Sequence, residues 1–350
     1  MKLTIAGGCG EHGRNCFLVN HFGISIILDC GIMLGDKEPY PQLSVEQITE
    51  CEYLFLTHSH KDHAGAYPWI LEQGFKGKVV MTAQTAQQLP FKVDNPILID
   101  ELTPPLEAYS LSENVSVTWG RSGHCAGSCW FKVKIDDKTL IYSGDYVEFS
   151  LVYTCDYIRE QSVDVAIIDN AYGDAEQTPE QYRTELVGLS ESLLKIGKNL
   201  LFPVPKYGRG LELMLLFNKY LPHVPICCDK YLRSQLRQLH QISEWLKPEA
   251  IEELQKIHIR TLHKAFSKTS IIFVSDPQLE KEKSQNLAQL SINRNGAIVI
   301  TGYADMDTYS KKLLESKPAI FARYPVHMND AETKRVIGSN SFAIEVPFHR

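Results

Sequence analysis

Short apolar runs, separated by glycine, asparagine and charged residues, dominate the first 170 positions: LTIAGG (3–8), CFLVN (16–20), ISIILDCG (24–31), YLFLTHSH (53–60), KVVMT (78–82), VSVTW (115–119), CWFKVKI (129–135), TLIYSGD (139–145) and VDVAIIDN (163–170). Runs of this length, rich in β-branched and aromatic residues and closed by turn formers, predict strands. Helices are expected between some of them, at 64–73 and 85–88. The longest helical pattern runs from Pro179 to Ile196, with Leu186, Leu189, Leu193 and Leu194 on one stripe. After position 199 the texture changes: strands at NLLFPVP (199–205), VPICC (224–228), SIIFVS (270–275) and GAIVIT (296–301) alternate with helical patterns at 210–220, 230–245 and 248–265. That βαβ rhythm predicts a mostly parallel sheet. Residues 319–350 return to strand, short helix and strand. With no internal repeat and no low-complexity linker, the second lobe is expected to be inserted into the first.

Composition adds bounds. The 350 residues are 44% apolar, ordinary for a globular α/β protein, and no apolar window approaches a membrane span. The opening MKLTIAGGCGEHGR lacks the apolar core of a secretory signal, so a cytoplasmic location is expected. Nine cysteines, an odd number without framework spacing, fit reduced thiols. Cys125 and Cys129 flank a glycine turn near a histidine, yet no second cysteine pair completes a thiolate site. The formal net charge of −6 does not advertise a nucleic-acid binder. Residues 201–270, however, hold eleven Lys/Arg against six Asp/Glu, or +5, which leaves −11 on the remainder. A basic middle in an acidic chain is compatible with a phosphate-tracking groove, and equally with solvated helix faces.

The chemistry concentrates where strands give way to loops. His58, His60, Asp62 and His63 follow the strand at 53–56. Imidazole nitrogen and carboxylate oxygen are zinc ligands, and four donors in six positions are far more than a polar loop needs. Two histidines two apart on an extended turn can point to one side. Asp62 and His63, opening a helix, can face a neighbouring point, so one stretch can serve two metals. His124 in GRSGHCAGSCWF, Asp145 in IYSGDY and Asp29 in IILDCG follow other strands. Asp145 is placed to bridge two metals, and Asp29 to orient a ligating histidine. Each of these three alone also fits a turn former or a loop hydrogen bond.

These residues resemble the metallo-β-lactamase motif HxHxDH with its separate later histidine and aspartate. More narrowly, the chain is similar to the β-CASP nucleases, the group that includes ribonuclease J and the polyadenylation-factor endonuclease. GGCGEHGRNCFLV, ILDCGIMLGD, THSHKDH, SGHCAGSCW, YSGDY, IIDNAYGD, FPVPKYGRGLELMLLF and IVITGYADMDT fall in family order, although the last lacks the usual second glycine. The resemblance implies an αββα metallo-β-lactamase sandwich (1–178 and 323–350) with an inserted β-CASP α/β cap domain (179–322). YPVHMNDAETKRVI makes His327 a catalytic histidine beside Asp169, and VPFHR makes His349 the last metal ligand. A histidine there is typical of RNA-processing members. His349 is the penultimate residue, so a protein partner completing a short C-terminus is a further expectation. His12, His21, His223, His240, His258 and His263 match no motif and are expected in surface or core polar roles.

The implied enzyme is a two-zinc ribonuclease. His58, His60, His124 and Asp145 hold one ion; Asp62, His63, His349 and bridging Asp145 hold the other. Asp62 is indispensable for cleavage, and His327, oriented by Asp169, is the general acid. Lys206, Gly208 and Arg209 hold phosphates of RNA, preferentially single-stranded. The alternatives are a DNA nuclease, another hydrolase of the same fold, and a non-catalytic nucleic-acid-binding subunit.

Overall fold

The apolar runs of the first half close into two six-stranded sheets in the computed structural model, which describes residues 1–349. The first sheet holds β1 (Lys2–Gly7), β2 (Cys16–His21), β3 (Ile24–Leu28), β4 (Tyr53–Phe55), β5 (Lys78–Met81) and β6 (Ile97–Leu98) in that spatial order. Its first three strands are antiparallel; β3 to β6 are parallel. The second contains β7 (Ala108–Ser110), β8 (Val115–Arg121), β9 (Cys129–Ile135), β10 (Lys138–Tyr142), β11 (Ser162–Asp169) and, from the end of the chain, β18 (Ser341–Phe348). Here β10, β11 and β18 are parallel neighbours, with β9, β8 and β7 antiparallel beyond them.

Strand alternation builds the layers. Phe17 and Phe55 point inward to Tyr142 and Phe131, at ring distances of 5.4 and 5.3 Å. Their neighbours Leu18 and Leu54 point outward, to Ile48, Tyr67 and Ile70 of the covering helices. On the second sheet Ile141, Ala166 and Ile168 pack against Met328 and Val336 of the segment that precedes and forms the helix Asp330–Gly338. The order helix, sheet, sheet, helix is the αββα sandwich. Met1–Glu148, Thr154–Glu176 and Val326–Arg350 form this compact unit, and Phe149–Tyr153 with Gln177–Pro325 form a second.

The second unit is built on a parallel sheet of β12 (Leu200–Pro203), β13 (Ile226–Cys228), β14 (Ile259–Thr261), β15 (Ile271–Val274), β16 (Ala297–Ile300) and β17 (Ala319–Phe321), in spatial order β14-β13-β15-β12-β16-β17. Leu201, Ile272 and Ile298 face one helical layer through Ala288 and Leu313, while Phe202 and Phe273 face the other through Phe217. Within this unit the buried carboxylate of Glu212, on the helix Arg209–Tyr220, accepts hydrogen bonds from the Ser150 and Tyr324 hydroxyls and the amides of Leu151 and Val152.

Three helical expectations are broken up. Residues 64–73 form two short helices, Lys61–Ala64 and Tyr67–Glu72, because Pro68 has no amide to donate and is accommodated only in a first turn. The pattern at 230–245 is α-helical to Arg237; two short 3-10 turns then follow over Leu239–Trp245, broken by a kink at Ile242 (φ −118°), with Leu239, Ile242 and Trp245 all buried. In 248–265 the helix ends at Gln255, and Ile259–Thr261 pairs with β13 as a short edge strand.

Candidate metal centre

Parallel register brings the candidate ligands to one edge. Tyr142 pairs with Ile167, and Asp169 with Phe348, so the chain leaves β10, β11 and β18 side by side at Asp145, Asp169 and His349. β3 and β4 end likewise at Asp29 and His58. The β8–β9 turn brings in His124 at the same edge, since Cys129 at its exit donates its amide to the Thr57 carbonyl at 3.0 Å. Close backbone approach is required here. A Cβ on Gly31 would lie 1.7 Å from the Asp62 carbonyl oxygen, and Gly144, at φ +51°, packs on the Thr57 side chain.

Asp145 sits at the centre. Its Oδ2 is 3.5 Å from His58 Nε2 and 3.3 Å from His124 Nε2; its Oδ1 is 3.0 Å from His63 Nε2 and 3.3 Å from His349 Nδ1. His60 Nδ1 lies 3.2 Å from His124 Nε2, and Asp62 Oδ2 lies 3.6 Å from His63 Nε2 and 3.3 Å from His349 Nε2. Two donor sets result, His58–His60–His124–Asp145 and Asp62–His63–His349, each with its ligand atoms within 4.8 Å of one another. A third such group, Asp145–Asp169–His327–His349, overlaps them. His58, His63, His124, Asp145 and His349 are buried, whereas His60 and Asp62 are partly exposed and mark the open side.

The ring atoms turned away from this cluster are tied down. His63 Nδ1–H donates to Asp29 Oδ2 at 2.6 Å; His58 Nδ1 is 3.1 Å from Thr57 Oγ1, which donates to the same carboxylate at 2.7 Å. His124 Nδ1–H donates to the Val326 carbonyl at 3.1 Å. Each bond selects the tautomer that turns Nε2, an acceptor, toward the centre. Asp29 is itself held by the Thr57 amide and the Tyr142 hydroxyl, both at 2.7 Å, with its backbone in the left-handed region at φ +55°.

The donor set fits metal ions. His58 Nε2, Asp145 Oδ1 and both ring nitrogens of His349 are buried without a hydrogen-bond partner among the described residues. Such orphaned atoms are costly unless something outside the protein engages them. Imidazole and carboxylate with no thiolate in any group suit zinc or a harder divalent ion. Burial, followed by repulsion from His63, pushes His58 well below the usual imidazole range. Burial likewise lowers His124. At His63 and His349 burial is outweighed by carboxylates, Asp145 foremost, and His349 rises to about 10.

Asp169 accepts from the amides of Tyr146 (3.1 Å) and Ala171 (3.0 Å), which leaves it aimed at His327 Nδ1, 3.1 Å away. Tyr172 packs edge-on against the His327 ring at 5.4 Å. Lys206, Gly208 and Arg209 belong to the second unit: Lys206 is exposed, Gly208 caps the helix Arg209–Tyr220 at φ +94°, and Arg209 packs so closely on Gly302 that any Cβ there would collide with the guanidinium. Cys125 and Cys129 are buried thiols outside every ligand group, and burial pushes Cys125 up to about 12.

Sequence reasoning missed two site neighbours. His12 stacks on His349 at 4.5 Å and 6°; burial, followed by repulsion from His349, holds it down at about 3. Asn15 Nδ2 lies 2.9 Å from His63 Nε2. Both belong to the glycine-rich turn GGCGEHGRN, whose local pattern says only that the chain bends; nothing in it signals which distant strand end the turn will touch.

The model of the metallo-beta-lactamase superfamily matches residues 9–203. Transcription termination factor FttA of Methanothermobacter thermautotrophicus is 28% identical over 265 residues, 65% of this chain and 42% of that protein. Probable RNase MJ4 of Methanocaldococcus jannaschii is 24% identical over 353 residues, 90% of this chain and 82% of that one. Cleavage and polyadenylation specificity factor 73 of Drosophila melanogaster is 26% identical over 250 residues, 64% and 36% respectively. The chain thus spans about two fifths of the length of the termination factor. A crystal structure of a protein of unknown function from Enterococcus faecalis V583 shares the fold, with a TM-score of 0.58 at 13% identity over 99% of this chain and 93% of that one. With a family model matched over more than half its length, the chain belongs to the metallo-beta-lactamase superfamily, and the relatives it matches include β-CASP nucleases.

Proposed function

We propose that the protein is a zinc-dependent ribonuclease that hydrolyses phosphodiester bonds at a two-metal centre. The observation that carries this reading is the pair of donor sets meeting at Asp145, with buried nitrogens and oxygen left for a cation to engage. His58, His60, His124 and Asp145 would hold one ion; Asp62, His63, His349 and the second oxygen of Asp145 the other. Zinc bound there would supply Lewis acidity and would lower the pKa of water from about 15.7 to about 7. The protein's own part is to fix the tautomers through Asp29, Thr57 and Val326 and to deliver a proton. With Nδ1–H donated to Asp169, His327 carries its exchangeable proton on Nε2 and passes it to the departing ribose oxygen. Lys206, Arg209 and the Gly208 amide bind backbone phosphates. RNA is favoured as substrate by relatives named a probable RNase and a cleavage and polyadenylation factor.

Metal analysis of purified protein should find about two zinc ions per chain, and end-labelled single-stranded RNA should be cleaved in preference to DNA of the same sequence. Asp62→Ala should abolish cleavage. Undiminished cleavage by that variant would sink the site assignment, and equal cleavage of DNA would sink the choice of substrate.

A further inference from the structure

In a parallel sheet every strand ends at the same edge, and the loops leaving that edge are where ligands are met. In the second unit the segments that follow β12, β13 and β15 carry lysines that converge on one aromatic ring. Lys206 Nζ lies 5.3 Å from the centroid of Tyr231, Lys230 Nζ 5.0 Å and Lys281 Nζ 5.8 Å. Lys206 also lies 4.7 Å from the Tyr207 ring. Tyr231 is 41% exposed, and all three lysines are exposed.

Three like charges around one ring repel one another, and among the described residues none of the three is held in an ion pair. The two carboxylates that cap these segments are engaged by backbone amides. Asp229 accepts from the amides of Tyr231, Leu232 and Ser275, and Asp276 from those of Glu280 and Lys281. These caps hold the helix start that bears Lys230 and Tyr231 and the turn that bears Lys281 in place, so the cluster is preorganised. A polyanion that also offers flat rings answers both features: phosphates for the ammonium groups, and bases for the tyrosine face.

We propose that this edge of the second unit binds single-stranded RNA, with Tyr231 as a base-stacking platform and Lys206, Lys230 and Lys281 as phosphate contacts. The choice of RNA rests on the function proposed above; the platform rests on the geometry of this unit alone. Because stacking uses the face of a base and not its edges, binding is tolerant of sequence. Because a duplex hides its base faces, single strands are preferred.

Fluorescence polarisation of a labelled oligouridylate on the full chain, with EDTA to prevent cleavage, tests this. Tyr231→Ala should weaken binding roughly 5- to 100-fold, the usual range for one lost stacking partner, and Tyr231→Phe should retain it. Changing Lys206, Lys230 and Lys281 together to glutamine should lower the slope of log affinity against log salt by about 2. Inorganic polyphosphate should compete through the lysines and be indifferent to Tyr231→Ala. Unchanged affinity in Tyr231→Ala, an equal loss for oligouridylate and polyphosphate, or a preference for duplex overturns the proposal. Hydrolysis of bis(p-nitrophenyl) phosphate by the zinc-loaded protein reports the metal centre separately. Its absence, with Tyr231-dependent binding intact, overturns the hydrolase reading and leaves the platform standing; its presence with Tyr231-independent binding does the reverse.

Discussion

A single carboxylate and a single imidazole divide the work at the residue scale. Asp145 offers its two oxygens to four different histidines, a geometry that ordinary hydrogen bonding leaves partly unsatisfied and that shared metal ions would complete. His327 differs in being paired with Asp169, whose hydrogen bonds otherwise come from backbone amides, with His349 Nδ1 farther off at 3.9 Å. A histidine held in this way is built to carry a proton. His327→Ala should therefore slow RNA cleavage by roughly 10²- to 10⁴-fold while zinc content stays at the wild-type level, which cleavage assays and metal analysis on one preparation will check. Loss of zinc in that variant would reassign His327 to the ligand set. His58, His60, Asp62 and His63 were legible in sequence because they are clustered donors after a strand. His12 and Asn15 were not, because what defines them is the ring each one touches across the fold.

At the scale of elements, caps and strand ends govern position. The helix Asp330–Gly338 starts from Asn329 in a reciprocal capping box with Glu332, which fixes the turn that follows His327. Burial raises the Glu332 carboxyl above the ordinary value of 4.5. A carboxyl with a raised folded pKa binds its proton more tightly folded than unfolded. Its ionisation therefore costs stability, beginning as pH rises past 4.5 and complete above the folded pKa. Glu332→Gln keeps the cap and removes the charge, so it should raise the thermal midpoint at pH 7 and leave it unchanged at pH 4. An equal effect at both pH values would contradict the burial argument. The break of 230–245 into an α-helix and two kinked 3-10 turns escaped the periodicity, because Leu239, Ile242 and Trp245 read equally as one apolar stripe until their burial bends the chain at Ile242.

For the whole molecule, the second unit draws on a piece of chain remote from the rest of it. Phe149–Tyr153 joins Gln177–Pro325, and Glu212 is its anchor, engaging Ser150, Leu151, Val152 and Tyr324. Glu212→Ala would strand the Leu151 amide, deprive the Ser150 and Tyr324 hydroxyls of their acceptor and leave the Val152 amide only Ser150 Oγ, at a cost on the order of 3 kcal/mol. Thermal unfolding should show that loss, while zinc content of the folded protein stays as in wild type. A midpoint unchanged from wild type would show the network to be dispensable.

Sequence by itself determined the donor chemistry, the strand-forming runs and the order of the motifs, since residue type and local alternation are properties of short stretches. It could not specify that Asp145 meets four histidines from three separate segments, that His12 lies flat on His349, or that lysines following three different strands surround Tyr231. Those meetings depend on the register and direction of strands distant in the chain, set by sheet pairing and core packing. Only the tertiary structure decides them.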